Sequence, residues 1–365
     1  MADPQVDLVI AVHTPRRPIG RAVRSVLDGS DDSVRVTVVC HNIDQARIVE
    51  RIDAAHRDRV RFLELHDGLN SPAGPFNAGT AAATAPYVSI MGSDDQLEPG
   101  ACASWLRLAR STGADAVITR LVLGQDRKRP VPTPPTRPLR SRRLDPVRDR
   151  LSYRSAPLGL VARSAIDRLD LRLDPDVPVG DDVPYVTRLW FEGRALAYDR
   201  TGPAYVIGED AADRVTFQDR PVSVELAFVR RLVSAPWFRV YGDAERRAVV
   251  AKLIRIHLFG VVLNRTAEFW DEDERRALAA VARELLQAAP GAERAFSIAD
   301  TRLLTAILAS TTPPATLAAL AQARRRHGTP ATVLTPRLRD MLRREGPARL
   351  MAASGLSMLT GRWAG

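Results

Sequence analysis

Two acidic clusters stand out among the side chains able to do chemistry. The first ends the run Tyr87-Val88-Ser89-Ile90-Met91-Gly92-Ser93-Asp94-Asp95. Its apolar start reads as a strand, so Asp94 and Asp95 would emerge at the strand's C-terminal end, where open α/β sheets bind ligands. Two carboxylates there can hold a divalent cation through oxygen. Such a cation bridges a diphosphate and neutralises charge on a leaving group. Adjacent aspartates also cap helices, and the pair by itself leaves that alternative open. The second cluster, Gly180-Asp181-Asp182, opens an apolar-periodic segment from Val183 to Phe191. It reads either as N-capping, with Pro184 tolerated in the first turn, or as a carboxylate placed to take a proton from a hydroxyl.

The elements that must position these groups alternate. Strands are expected at Val6–Val12, Val34–Val39, Val60–Leu65, Tyr87–Met91 and Ala116–Leu123. Helical spacing falls between them at Pro18–Leu27, Ile43–Ala55, Asn77–Ala83 and Pro99–Thr112. Val6–Val12 is apolar apart from Asp7, as in a strand buried on both faces. The alternation predicts an α/β fold with a mixed, mainly parallel sheet and helices on both faces. Between residues 124 and 150, Pro130, Pro132, Pro134, Pro135 and Pro138 lie among Arg127, Lys128, Arg129, Arg137 and Arg140, which predicts a loop. Mixed structure resumes with strands near Leu158–Val161, Ala195–Tyr198 and Ala204–Ile207, and helices at Arg163–Leu169 and Val183–Phe191. From Pro221 the pattern is helical, at Val222–Leu232, Ala244–Leu263, Asp273–Ala288, Ile298–Ala309, Ala315–Arg326 and Pro336–Arg344. The expected organisation is an α/β catalytic domain over residues 1–220 and a helical domain over residues 221–365.

A hydrophobic fraction of 45% in 365 residues is enough for a large core. No apolar run of about 18 residues predicts a membrane-spanning helix. The Met1-Ala2-Asp3-Pro4 start lacks the basic segment of a secretion signal, so a cytoplasmic protein is expected. Cys40 and Cys102 have no metal-ligand spacing and read as two reduced thiols. The histidines form no i, i+4 pair, so zinc is not expected. The net charge of +10 comes almost entirely from arginine, with Lys128 and Lys252 the two lysines. That charge favours phosphate-bearing partners. Nucleic acid is not expected among them, because basic and aromatic residues do not interleave. After Ala321, nine arginines against Asp340 and Glu345 leave an excess of seven positive charges. Leu338, Met341, Leu342, Leu350, Met351, Leu356, Met358, Leu359 and Trp363 accompany them. The segment reads as a helix lying on an anionic membrane surface, or as the solvated face of a packed helix.

Taken in order, these segments resemble the large family 2 of inverting glycosyltransferases, which have the GT-A fold. Val9-Ile10-Ala11-Val12-His13-Thr14-Pro15 is similar to the family's first strand and nucleotide-binding turn, and Arg21–Leu27 to its first helix. Asn77-Ala78-Gly79 resembles its Arg-Asn-X-Gly segment, and Ser93-Asp94-Asp95 the end of its Asp-X-Asp-Asp motif. Leu158–Arg163 resembles the acceptor-side strand. Asp181-Asp182 followed by Arg188-Leu189 resembles the Glu-Asp motif and its downstream Arg-Leu.

The resemblance runs from Val6 to about residue 217. It implies a metal-dependent transferase that moves a sugar from a nucleotide-sugar donor, a UDP-sugar above others, by single displacement with inversion. The acceptor would be a hydroxyl on a glycan or lipid-linked molecule in cell-envelope or exopolysaccharide synthesis. Asp94 and Asp95 would hold Mn2+ or Mg2+, Asp94 would also touch the donor, and Asp182 would be the general base. His13, Thr14, Asn42 and Asn77 would line the nucleotide pocket. Three positions differ from the family pattern. Cys40-His41-Asn42 stand where acidic residues usually read the base, Phe76 replaces the Arg before Asn77, and Gly92 replaces the first Asp of the metal motif. The alternative function is a degenerate GT-A fold serving as a binding or scaffold module. Phe76 and Gly92 favour it, whereas Asp94, Asp95 and Asp182 disfavour it.

Overall fold

The computed structural model describes residues 3–124, 129–131, 137, 139–209 and 220–362. Arg127, Lys128, Pro132, Pro134, Pro135, Pro138 and Trp363 lie outside the described residues.

The strands are β1 (Val6–Val12), β2 (Val34–His41), β3 (Val60–Leu65), β4 (Tyr87–Gly92), β5 (Gln96–Leu97), β6 (Ala116–Thr119), β7 (Leu121–Leu123), β8 (Arg129–Pro130), β9 (Gly159–Ala162), β10 (Leu196–Asp199) and β11 (Tyr205–Ile207). Seven form the main sheet in the order β10-β6-β9-β4-β1-β2-β3. All pairings in it are parallel except those of β9, which runs antiparallel to β4 and β6. The sheet is thus mixed and mainly parallel, with β1 near its centre.

The two-residue period of β1 feeds two cores. Leu8, Ile10 and Val12 pack with the helices Ile19–Leu27 and Ala101–Thr112. Val9 points to the other face, toward the helices Ala73–Ala81 and Asp182–Glu192. Gly79 allows that approach, since a Cβ there would lie 2.2 Å from Val9 Cγ1. Asp7, the polar residue of β1, is fully buried. Burial pushes its carboxyl up, but Arg35 at 2.6 Å and the amides of Thr84 and Ala85 outweigh that and hold it below the ordinary range. Cys40 and Cys102 are free, buried thiols in the Leu8–Ile10 core. Burial raises them to about 11 and about 12.

Several expected elements are subdivided or replaced; Val222–Leu232, for one, is split at Leu226 into Val222–Glu225 and Ala227–Ser234. The strand expected over Ala116–Leu123 is two, because the chain leaves the main sheet at Arg120. There the Arg120 carbonyl accepts from Tyr205 N at 2.8 Å, and β7 joins a second sheet, β5-β11-β7-β8. The helix expected over Ile43–Ala55 is broken into Gln45–Val49 and Ala54–Arg57. Between them Ile52 turns into the core, while Asp53 accepts from Arg24 at 3.0 Å. The helix expected over Pro336–Arg344 is a single 3₁₀ turn at Leu338–Asp340. Asp340 turns inward to accept from Arg294 and Arg343, and the Gly346-Pro347 step starts a new helix.

The remaining chain is helical. Its main helices are Asp243–Lys252, Glu272–Ala288, Ile298–Ala309, Pro314–Ala323 and Pro347–Arg362. Ser297 and Asp300 form a capping box at the third of these. The apolar faces of the first four share one core with Val177 and Val183, so they pack against the segment that carries Asp181 and Asp182. Among the described residues, no helix is long and apolar enough to cross a membrane.

Candidate functional site

The parallel register aligns Val12 with Cys40, Ala11 with Gly92 and His41 with Leu65. β1, β2, β3 and β4 therefore end together. The loops that leave this edge enclose a cleft of about 630 Å³. His13 and Arg17 line it from the turn after β1, and His41 and Asn42 from the end of β2. Gly68–Pro72, Pro75 and Phe76 form one wall, and Ser93, Asp94 and Asp95 close it from β4.

At the β4 side the carboxylate of Asp94 faces a guanidinium. Arg17 Nη1 lies 2.9 Å from Asp94 Oδ2, and both side chains are largely buried. Arg21 Nη2 donates to the Asp94 carbonyl at 2.8 Å. Asp95 has different partners. Its Oδ2 accepts from the Tyr205 hydroxyl at 2.6 Å, and its Oδ1 from the Gly208 N–H at 2.9 Å. Gly92 gives this side chain room, since a Cβ there would lie 2.7 Å from Asp95 Oδ2. Burial raises the Asp95 carboxyl. Asp95 thus braces the end of β4 to the end of β11, and Asp94 offers its carboxylate toward the cleft.

That donor set bears on a cation. Among the described residues, no three His, Cys, Asp or Glu side chains converge as a complete ligand set. Mg2+-type sites commonly take one or two carboxylates and complete their shell with substrate phosphates and water. Asp94 fits that pattern if a diphosphate shares the site.

At the opposite end, Asn42 adopts a left-handed conformation with φ of 55°. Its side chain donates to the Leu69 carbonyl at 3.0 Å and accepts from Gly68 N–H at 3.1 Å. His41 Nε2 sits 2.7 Å from Asp67 Oδ1. These bonds fix the wall of the cleft against the end of β2. The Asp67 carboxyl is pushed up by burial but carried below the ordinary range by His41, the Leu69 amide and Asn42.

The expected nucleotide-pocket residues divide. His13, Asn42 and Asp94 line the cleft. Thr14 is absent from its lining, and its hydroxyl accepts from Arg16 N–H in a local turn. Asn77 is turned away from the lining. Its amide donates to the Leu173 carbonyl at 2.8 Å and accepts from Leu173 N–H at 3.0 Å. One residue on, Asp174 N–H donates to the Asp181 carbonyl at 3.0 Å. Asn77 therefore ties the helix that carries Phe76 to the turn that carries Asp181 and Asp182.

Asp182 opens the helix Asp182–Glu192 and is partly exposed. It lies outside the lining of the cleft. Burial raises its carboxyl, the neighbouring Asp181 raises it further, and Lys252 opposes them. A raised carboxyl of this kind suits proton acceptance near neutral pH. Two residues at the cleft escaped the sequence reading. Arg17 had a signal, as one of two arginines directly after the first turn. Asp67 had none, because its contacts with His41 and Asn42 are made across the fold.

Residues 7–170 match the family model described as glycosyl transferase family 2. Over 119 residues the chain is 31% identical to the succinoglycan biosynthesis protein ExoO of Rhizobium meliloti. That match spans 32% of this chain and 33% of ExoO, so about a third of each protein is shared. Among solved structures, residues 1–349 of TarS from S. aureus, in complex with UDP-GlcNAc, superpose with a TM-score of 0.69 at 13% identity, covering 88% of this chain and 92% of that one. A longer TarS structure gives a TM-score of 0.66 at 14% identity, covering 88% of this chain and 55% of that one. The structural likeness concerns the fold, and the matched segment contains β1, β4 and the Asp94 turn. Residues 7–170 are thus similar to glycosyl transferase family 2, and the chain has the GT-A fold.

Proposed function

We propose that this protein is an inverting glycosyltransferase that moves a sugar from a UDP-sugar to a hydroxyl of a glycan or lipid-linked acceptor in cell-envelope or exopolysaccharide synthesis. The observation that carries the reading is the Arg17–Asp94 pair in the cleft at the carboxyl edge of the sheet. A guanidinium and a carboxylate side by side suit a diphosphate and its counter-cation. Arg17 takes the electrostatic place that the family gives to the Arg replaced here by Phe76. His41 and Asn42 stand at the other end of the cleft, where the base would lie. ExoO's name and the UDP and UDP-GlcNAc complexes of TarS support the choice of pathway and donor. Asp94 would hold Mn2+ or Mg2+, which supplies charge neutralisation at the leaving diphosphate. Asp182 would accept the acceptor's proton.

A panel of nucleotide sugars, with and without Mn2+, tests the reading by thermal stabilisation and donor hydrolysis. A bound donor at about 100 times its Kd stabilises by about 2.7 kcal/mol. UDP-sugars should raise Tm in the wild type and fail to do so in Arg17→Ala. Stabilisation without any hydrolysis or transfer would instead identify a scaffold module.

We also infer that the enzyme works peripherally at an anionic membrane, on its cytoplasmic face. Leu338 and Leu342 are 76% and 82% exposed, beside the exposed Arg337, Arg339, Arg344 and Arg349. Leu356, Met358 and Leu359 are exposed on the helix that follows. Each basic residue near such a surface contributes about 1 kcal/mol, screened over about 10 Å at 0.1 M salt. Co-sedimentation with anionic vesicles at low salt should be lost at high salt and in Leu338→Gln/Leu342→Gln. Equal partitioning onto neutral vesicles, or none at low salt, would reduce these residues to a solvated face.

A further inference from the structure

We propose that a second cavity, walled by Arg230, Arg231, Arg239 and Arg246 in the helical half, is a distal subsite for the acceptor and takes an anionic stretch of saccharide bearing carboxylate or phosphate groups. The assignment to the acceptor rests on the transferase reading proposed above, whereas anion binding by the cavity stands apart from it.

The cavity encloses about 720 Å³, more than the cleft at the sheet edge and within the usual range for ligand sites. It lies among the helices Ala227–Ser234, Pro236–Arg239, Asp243–Lys252 and Glu272–Ala288 and shares no lining residue with that cleft. Four guanidinia line it against a single carboxylate, Glu284. Arg230 already neutralises Glu284 through two bonds, of 3.0 Å from Nε and 2.6 Å from Nη2. The carboxylates that hold two of the other arginines stand outside the lining. Arg231 reaches Asp174 at 3.0 Å and Asp176 at 3.1 Å, and Arg246 reaches Asp243 at 2.7 Å. Arg246 Nη1 also donates to the Arg239 carbonyl at 3.4 Å. These contacts fix where the guanidinia sit. The Arg239 side chain is exposed and, among the described residues, makes no hydrogen bond or ion pair. A positive cavity with one uncommitted fork suits an anion, because a guanidinium binds a carboxylate or a phosphate through two parallel bonds. Val233 and Phe238 add apolar lining for the C–H face of a sugar ring.

Two sets of contacts tie the cavity to the helix Asp182–Glu192. At the helix start, Asp174 is held by Arg231 and donates its N–H to the Asp181 carbonyl at 3.0 Å. At the helix end, the Arg188 guanidinium lies over the Trp237 ring, 5.7 Å from its centroid, and Glu192 accepts from the Tyr241 hydroxyl at 2.6 Å. The cavity walls and the acidic turn are thus held in one frame. A chain seated by its charged groups in the cavity would be presented to Asp182 from a fixed anchor. Binding energy from a part of the substrate that does not react then goes into orienting the hydroxyl that does.

Isothermal titration of the full chain with tetragalacturonate, with an oligomer of glycerol phosphate and with neutral maltotetraose tests the site. Salt at about 0.15 M screens exposed charges beyond about 8 Å. An acidic oligomer should bind one to one and the neutral one should not bind; the tighter of the two acidic oligomers identifies carboxylate or phosphate as the group. Arg239→Glu and, on the helix Glu272–Ala288, Gln287→Glu should each weaken that binding by about tenfold or more, the scale of one lost charge-assisted hydrogen bond. Arg47→Glu, an exposed position in the α/β half with the same change in net charge as Arg239→Glu, should leave it unchanged. Equal weakening in Arg47→Glu, unweakened binding in the two cavity variants, or no binding of either acidic oligomer would overturn the anion site. Sugar transfer to glycan extracted from the source cells then tests the role. In Arg239→Glu, KM for that glycan should rise about tenfold, while kcat and KM for the UDP-sugar hold, since Arg239 is not in the lining of the donor cleft. An unchanged KM for the glycan would overturn the acceptor role. If the wild type binds an acidic oligomer yet transfers no sugar, the transferase reading fails and takes the acceptor role with it, while the titrations still decide whether the cavity takes anions.

Discussion

Asp182→Asn should lower sugar transfer by about 10²–10⁴, the usual contribution of a positioned general base, while donor binding is retained. Asparagine preserves the volume and much of the hydrogen bonding at the first turn of the helix Asp182–Glu192, but it cannot take a proton. The donor cleft should not notice the change, since Asp182 is not among its lining residues. The pH dependence gives a second readout. Burial and Asp181 raise the Asp182 carboxyl, and a base must be deprotonated to act. Activity should therefore fall as pH drops through that raised value, above the range of an ordinary aspartate. Single-turnover rates across pH would check both points. If Asp181→Asn is inactive and Asp182→Asn is not, the roles belong the other way round.

Asp94→Ala should reduce transfer by about 10³ or more and remove the Mn2+ dependence of donor binding. A cation at a leaving diphosphate is worth several kcal/mol, and each 1.36 kcal/mol is tenfold in rate. The change also strips Arg17 of its carboxylate partner, so donor affinity should shift as well as turnover. Asp95→Asn should behave differently. Its carboxylate joins Tyr205 to the end of β4, and its loss should appear first as a lower Tm. Calorimetric donor titrations with Mn2+ and with EDTA distinguish the two aspartates. Full activity in EDTA, or in Asp94→Ala, would end the metal reading.

The sheet was legible because inner strands such as β1 and β2 are buried on both faces. β1 and β3 begin and end at the expected residues. The helix Ile298–Ala309 is equally plain, since Ser297 and Asp300 cap it locally. What could not be read depends on partners distant in the chain. Nothing near Arg120 announces that the strand changes sheets, because the cause is Tyr205. Nothing in Asn77 shows that its amide will be spent on Leu173. The acidic motifs gave the chemical groups but not their surroundings. Arg17 at Asp94 and Tyr205 at Asp95 are products of folding. The π-helical stretch Leu253–Leu258 is similarly silent, since its residues have ordinary helical spacing.

Cys40 and Cys102 turn the fold into its own probe. Both thiols lie in the core formed by β1, β2 and the helices Ile19–Leu27 and Ala101–Thr112. No other cysteine occurs in the chain. A thiol reagent can reach them only when that core opens, because buried, protonated thiols are inert. The labelling rate thus measures the opening free energy of the N-terminal α/β half and carries no signal from the helical half. Circular dichroism sees both. Comparing the two signals in denaturant reveals whether the halves unfold as one cooperative unit or in sequence. Buried charges that bridge the halves, such as Glu345 between Arg150 and Arg255, would couple them into one transition.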